Sequence, residues 1–356
     1  MFPWLRKVLA NISLPHLIIV AFFLILLCSA APLGLSIPSL ISDTLRRWAM
    51  YGILVLAMVP AIQSGIGPNF GISLGIVGGL LGATISIEMG LTNPWAAVAV
   101  AMAIGGAIAS VLGILYGLLL NRVKGSEMTV STYVGFSVIA FMNIMWLSLP
   151  FSKGTLIWPL GGMGMRNNIS LVDSFGHVFN NWFSFHLFGG EETGIFVPTG
   201  LIIVFLASCL LMGLFLRSKT GIAMSAAGEN PAFTRAAGIN VDKMRIIGTA
   251  ISTALGAIGI IVYAQSYGFL QLYNAPLMMG FHCVAAILIG GASTKKATIA
   301  NVLVGTFLFQ GILAVALPVV NKILPESNLP DVIRIIISNG IILFALSKAK
   351  GGEVSG

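Results

Sequence analysis

Residues 217–245 read RSKTGIAMSAAGENPAFTRAAGINVDKMR and hold five of the 19 Lys and Arg residues in this 356-residue chain. Glu229 and Asp242 lie in the same stretch. On both sides run apolar segments long enough to cross a bilayer, so the polar stretch between them must lie in water. Its alanines and alternating charges argue against a slack linker. Asn230 is placed to cap a helix, and Pro231 to be its first residue. PAFTRAA then reads as a short helix, with Gly238 as its stop.

Working outward, the composition is 57% hydrophobic and 8% charged, where soluble domains carry about 25% charged residues. That identifies an integral membrane protein. The 42 glycines fit membrane helices that approach each other closely. The net charge of +8 is explained by basic residues beside spans on the cytoplasmic side, so no nucleic-acid partner is expected. Cys28, Cys209 and Cys283 fall inside apolar runs and read as buried structural thiols without a disulfide framework. Arg6 and Lys7 precede an apolar run with no clear small-residue cleavage site, which reads as a retained span.

A spanning helix needs about 20 apolar residues. Runs of this kind cover 14–33, 48–64, 69–87, 95–120, 129–149, 196–216, 246–265, 277–292, 298–319 and 332–346. The second, eighth and tenth are short. Between the second and third, SGIGPNFG breaks the helix, and irregular backbone at membrane depth must be surrounded by protein or a water-filled cavity. Residues 150–197 are polar, carry Gly, Asn, His and Trp, and read as a partly structured extracytoplasmic cap. The expected fold is an all-α polytopic transmembrane bundle of about eight to ten spans, with both termini in the cytoplasm. In that arrangement thirteen Lys and Arg lie inside and six outside, the expected bias.

Neither GxxxxGK[ST] nor HExxH occurs, so the chain has no phosphate-cradling loop of that type and no zinc-helix motif. His16, His177, His186 and His282 are scattered, and no metal or cofactor site is expected. Acidic residues fall in loops, at span edges or in the tail, which counts against a proton-coupled carrier. A transporter with no buried coupling charge needs its energy from a partner, and residues 217–245 are fit to dock one. Neutral polar residues do occur in or beside spans, including Gln63, Asn69, Ser73, Thr132, Asn143, Gln265, Asn301 and Gln310. Their ordinary role is interhelical hydrogen bonding, worth about 0.6–2 kcal/mol each. Asn69 and Phe70 stand out because they adjoin the helix break. With Ser73, Asn143 and Phe281 they form the candidate solute pathway.

AAGENPAFTRAAGINVDKMRIIGTAIS, residues 226–252, resembles the coupling region of ABC importer permeases for ribose, other simple sugars, nucleosides and related solutes. CVAAILIGGAST at 283–294 and the glycine-bearing run IANVLVGTFLFQGIL after it are similar to a second family region. SGIGPNFGISLGIVGGLLGA at 64–83 is a weaker match, with Pro68-Asn69 where an acidic residue is common. The resemblance implies a permease paired with a second copy or a paralogue. It implies ATP-binding cassette subunits docked on residues 228–238, with Gly228, Glu229, Asn230, Pro231, Ala232, Arg235 and Gly238 as the coupling residues. It further implies an extracytoplasmic solute-binding protein and a place in the cytoplasmic (inner) membrane of a prokaryote. Sugar and nucleoside classes head the expected solutes. The competing reading is a secondary transporter or channel independent of ATP. An intramembrane enzyme would need a nucleophile-base pair or metal ligands at helical spacing.

Overall fold

The computed structural model describes residues 14–157, 164–190 and 193–323, with positions 336, 339, 340 and 343 beyond them. Each apolar run in this range is helical. The helices are α1 Leu14–Ala30, α2 Ile37–Leu56, α3 Met58–Gln63, α4 Ser73–Met89, α5 Pro94–Arg122, α6 Glu127–Ser148, α7 Val178–Asn181, α8 Thr199–Arg217, α9 Lys219–Glu229, α10 Pro231–Ala236, α11 Val241–Tyr267, α12 Ala275–Ile289 and α13 Ile299–Ile323. Among the described residues seven spans are long and apolar enough to cross a membrane, α2 with α3 counting as one. The apolar helices α1 and α12 are shorter. The expected tenth span, 332–346, and the basic residues Arg6, Lys7, Lys348 and Lys350 lie outside the described residues. The polytopic helical bundle expected from the sequence is what the chain forms.

Three helix starts differ from the expectation in an instructive way. The second span starts at Ile37, not at Trp48. Ser36 caps it by accepting from the Ser39 amide, and Pro38 sits in its first turn, where a missing N–H costs nothing. Asp43, Arg46 and Arg47 are therefore helical, and Arg46 pairs with Asp43 one turn away. Likewise Glu127 and Arg245, expected at loop edges, lie inside α6 and α11. Arg245 bonds Glu127 across the two helices, with side chains 9% and 14% exposed. Charge lowered the apparent hydrophobicity of these helix ends, while pairing within the fold let them stay helical.

The centre of the bundle is sealed by small residues. Gly105, Ala109, Gly113 and Gly117 recur every fourth position on α5, one stripe of the helix. Against them lie Gly78 and Gly82 of α4 and Thr249 and Thr253 of α11. A Cβ on Gly82 would sit 2.4 Å from the Gly105 amide nitrogen and 2.5 Å from the Ala101 carbonyl oxygen. The backbones touch, which is how membrane helices gain packing energy when lipid is as apolar as leucine. By contrast α5, α6 and α8 turn large apolar residues such as Leu115, Ile144 and Leu211 outward, as a hydrocarbon surround requires.

The two ends of the bundle differ. At one end lie Arg122, Lys124, the loop with Lys295 and Lys296, and residues 217–245; Lys124 pairs with Asp242, and the Gln63 amide reaches the Ala297 carbonyl. The other end is covered by residues 150–157, 164–190 and 193–197. There Asn168–Ser170 pairs antiparallel with Phe269–Gln271, and Phe185–Leu187 with Ile195–Val197. Leu171 and Phe175 are fully buried, and the His177 amide donates to Gln265 at the end of α11. Cys209 and Cys283 are buried, but Cys28 is exposed on α1, correcting the expectation of three buried thiols.

The seam predicts a paired result. Gly82→Ala should lower the thermal midpoint of the detergent-solubilised chain, through an overpacking cost of about 1–3 kcal/mol. Gly106→Ala, whose new Cβ meets nothing within 4 Å, should leave it unchanged. Equal midpoints for both variants would contradict backbone contact at the seam.

Candidate functional site

The 217–245 stretch folds as its residues dictate. Ser218 caps α9 by accepting from the Gly221 amide. Asn230 caps α10, its Oδ1 accepting from the Phe233 amide at 3.0 Å, and Pro231 occupies the first turn. At the other end the Gly238 amide donates to the Arg235 carbonyl and the Ile239 amide to the Thr234 carbonyl. This pair of bonds is a Schellman closure, and Gly238 provides its left-handed residue at φ +81°. Asn240 then caps α11 through the Lys243 amide. Thr234 is the one buried residue of α10, and its hydroxyl donates to the Ala226 and Asn230 carbonyls, tying α10 to α9. Pro231, Ala232, Phe233 and Arg235 face outward, with Phe233 70% exposed. Glu229 is exposed beside them.

The same segment touches the helix break. A Cβ on Gly228 would lie 2.3 Å from the Gln63 carbonyl oxygen and 2.8 Å from the Gly65 amide. A Cβ on Gly65, at φ +78°, would lie 2.9 Å from the Gly228 Cα. One helical turn deeper, Gly248 of α11 leaves room for Ser64 and the Pro60 carbonyl. The end of α9 thus rests backbone to backbone on residues 63–65.

Beyond the break the candidate pathway residues divide. Asn69 is fully buried and held on both sides of its amide. Its Nδ2 donates to Ser252 Oγ at 2.8 Å, and Ser252 donates to the Ala57 carbonyl at 2.6 Å. The Tyr116 hydroxyl lies 3.3 Å from Asn69 Oδ1 and 2.6 Å from Ser131 Oγ. Phe70, Ser73 and Phe281 instead come together at a cleft that Phe136 and Gly135 of α6 complete. The Phe281 ring lies 6.0 Å from Phe70 and 6.2 Å from Phe136. The cleft holds about 10 Å³, close to the least that admits one water. Asn143 stands apart on α6, half-buried and without a hydrogen-bond partner among the described residues. His282 packs on Phe309 with the rings tilted at 54°, and its Nδ1 lies 2.7 Å from the Met278 carbonyl.

Sequence reasoning missed Phe136, Tyr116 and Ser252. A lone Phe, Tyr or Ser in an apolar run gives no signal until its neighbours are known. Gly71-Ile72-Ser73-Leu74-Gly75 does spell the GxSxG pattern of hydrolases. Here Ser73 starts a helix, and its hydroxyl donates to the Pro276 carbonyl at 3.0 Å, so the pattern marks a packing serine. Among the described residues no group of His, Cys, Asp and Glu gathers into a metal site.

The family described as the permease component of branched-chain amino acid transport systems matches residues 40–346. The chain is 31% identical over 172 residues to a tyrosine transport system permease protein of Clostridioides difficile, covering 46% of this chain and 56% of that protein. It is 24% identical over 238 residues to the nucleoside ABC transporter permease protein NupB of Lactococcus lactis, covering 66% and 59%. To the galactofuranose transporter permease protein YtfT of Escherichia coli it is 25% identical over 203 residues, 56% of each. The chain spans about half the length of the curated relatives it matches. No solved structure matches it significantly. With a match over most of its length and a bundle of membrane-spanning helices, the chain belongs to the branched-chain amino acid transport system permease family and is a multi-pass membrane protein.

Proposed function

We propose that this chain is the membrane subunit of an ABC importer in the cytoplasmic membrane of a prokaryote. It moves a small polar solute, powered by ATP hydrolysis on separate ATP-binding cassette subunits. The observation that carries this reading is α10: a rigidly capped, outward-facing helix bearing Phe233 and Arg235, whose neighbour α9 rests on the helix break. The basic end of the bundle faces the cytoplasm by the positive-inside rule. The ATP-binding subunits dock on residues 228–238, a second copy or paralogue completes the pore, and a solute-binding protein delivers cargo at the covered end. Relatives named for sugars, nucleosides and amino acids support the transport role and leave all three solute classes open.

Coupling follows from the contacts. ATP binding draws the partner subunits together and carries α10 with them. Because Gly228 and Gly65 leave no side chain between their backbones, displacement of α9 reaches residues 63–65 without compressible material in between. Residues 63–73 then re-aim Phe70 and Ser73 at the cleft. Direction requires only that solute and nucleotide favour different states.

Two outcomes test this. The full chain expressed with its neighbouring genes should co-purify with an ATP-binding subunit, and Phe233→Ala should weaken that association by about tenfold or more, as loss of an interface anchor does. A wild-type chain that purifies alone and transports in liposomes without ATP would instead make α10 a solvated helix with no docking role. Secondly, Gly238→Val should uncouple ATPase activity from transport several-fold, because a left-handed β-branched residue costs at least about 1–2 kcal/mol. Gly238→Asn should stay near wild type, since Asn tolerates that region. A Cβ added at Gly238 meets nothing within 4 Å, so a difference between the two variants points to backbone conformation and not to a clash at that atom.

A further inference from the structure

Of the three ion pairs among the described residues, Glu127 with Arg245 is the one withdrawn from solvent. Glu127 Oε1 accepts from Arg245 Nη2 at 2.5 Å, and its Oε2 accepts from the Gly125 amide at 2.8 Å. Arg245 Nε is buried and has no acceptor among the described residues. Beside this pair Lys124 meets Asp242, and Asn121 Nδ2 donates to the Asp242 carbonyl at 2.9 Å. Together these bonds fasten the start of α6, and the loop before it, to the first turns of α11. That is the helix the chain enters directly after the Gly238 closure of α10.

A buried ion pair is weak evidence for stability, because apolar residues of the same shape serve as well. What it imposes is co-movement. Arg245 has no second carboxylate in reach, so parting α6 from α11 would strand both charges away from water. α6 needs such a tie. It is a peripheral helix that turns Tyr133, Phe141, Ile144 and Leu147 outward. Its inner side supplies Thr132, Gly135, Phe136 and Ile139 as one wall of the cleft that Phe70 and Phe281 close from the other side. A Cβ on Gly135 would lie 3.0 Å from the Phe70 carbonyl oxygen, so the two walls meet here without a side chain between them.

Resting on the importer reading, we propose that the Glu127–Arg245 pair is a second coupling link, which carries the motion of α10 to the α6 wall of the cleft. A push on α10 reaches the start of α11 through Gly238 and Asn240. It crosses the ion pair to α6 and runs along that helix to Phe136. The same push reaches Phe70 through α9, Gly228 and the helix break. The cleft is thus driven from two sides, by links that share only their origin. Glu127 and Arg245 are positioning residues and touch no solute.

The test uses the complex with its ATP-binding subunit in lipid nanodiscs, with Cys28→Ser removing the exposed thiol. Spin-label distances are recorded without nucleotide and with a non-hydrolysable ATP analogue. Labels at Thr129→Cys and Lys243→Cys, both exposed, straddle the ion pair and should keep one distance in the two conditions. Labels at Phe141→Cys and Met278→Cys, on α6 and α12, straddle the cleft and should shift by about 1–2 Å or more. Glu127→Gln should lose the shift across the cleft while the complex still hydrolyses ATP. The charge swap of Glu127→Arg with Arg245→Glu should regain it, which a merely structural role for either residue would not produce. A nucleotide-dependent distance across the ion pair would overturn the link, as would an unchanged distance across the cleft; both are read with the pair intact, whether or not the variants fold. A folded Glu127→Gln complex with the full shift, or a folded swap no better than Glu127→Gln alone, would overturn it too. Failure to co-purify with an ATP-binding subunit would sink the importer reading and this link with it, whereas the distances sink the link alone.

Discussion

Between Gln63 and Ser73 the chain leaves the helix inside the bundle, and hydrocarbon offers nothing to bond the freed backbone groups. The protein must supply every partner. Tight turns take some of them, with the Gly65 amide on the Ile62 carbonyl and the Ile66 amide on Ala61. The Asn69 side chain ties the segment to its neighbours, through Ser252 to the Ala57 carbonyl and through Tyr116 to Ser131. One amide side chain thereby joins α2, α5, α6 and α11. The small-residue seam depends on the same arrangement, because α4 begins where the break ends and lays Gly75, Gly79 and Gly82 against its neighbours.

Much of this was legible in the sequence because its signals are local. The Asn230 cap, the Pro231 start and the Gly238 stop each act within four residues, and each appears where the side chains require. The break at Pro68 and its glycines is equally local. Helix ends bearing charge were not legible. Asp43 with Arg46, and Glu127 with Arg245, read as loop edges because a pattern of hydrophobicity counts each charge as a cost. In the fold each has its opposite within reach, one pair a turn apart and the other across two helices. The second kind of pairing involves residues 118 apart in the chain, which no window on the sequence contains.

The pathway residues show the same division. Phe70 and Ser73 were named as residues at or near the break and Phe281 as an aromatic face within a span, and they meet at one cleft. Phe136 completes that cleft from α6, where it looks like any lipid-facing aromatic. Asn69 was named for the solute, yet its polar atoms are spent inside the protein. A polar residue beside a break has two demands on it, and here the buried hydroxyls of Ser252 and Tyr116 take both ends of its amide.

The break segment also lies where separate events can meet. Its first residues bear on Gly228 at the basic end, its middle residue anchors the network in the core, and its last residues line the cleft. These contacts fall within eleven residues of chain, Gln63 to Ser73. A continuous helix there would shift as a rod, carrying the cleft along with the end that is pushed. A segment of turns can change its dihedrals at Gly65 and Gly67, both already at positive φ, while Asn69 stays fastened. The irregular backbone that costs the fold so many dedicated hydrogen bonds is, on the importer reading, what lets a push at one end become a reorientation of Phe70 at the other.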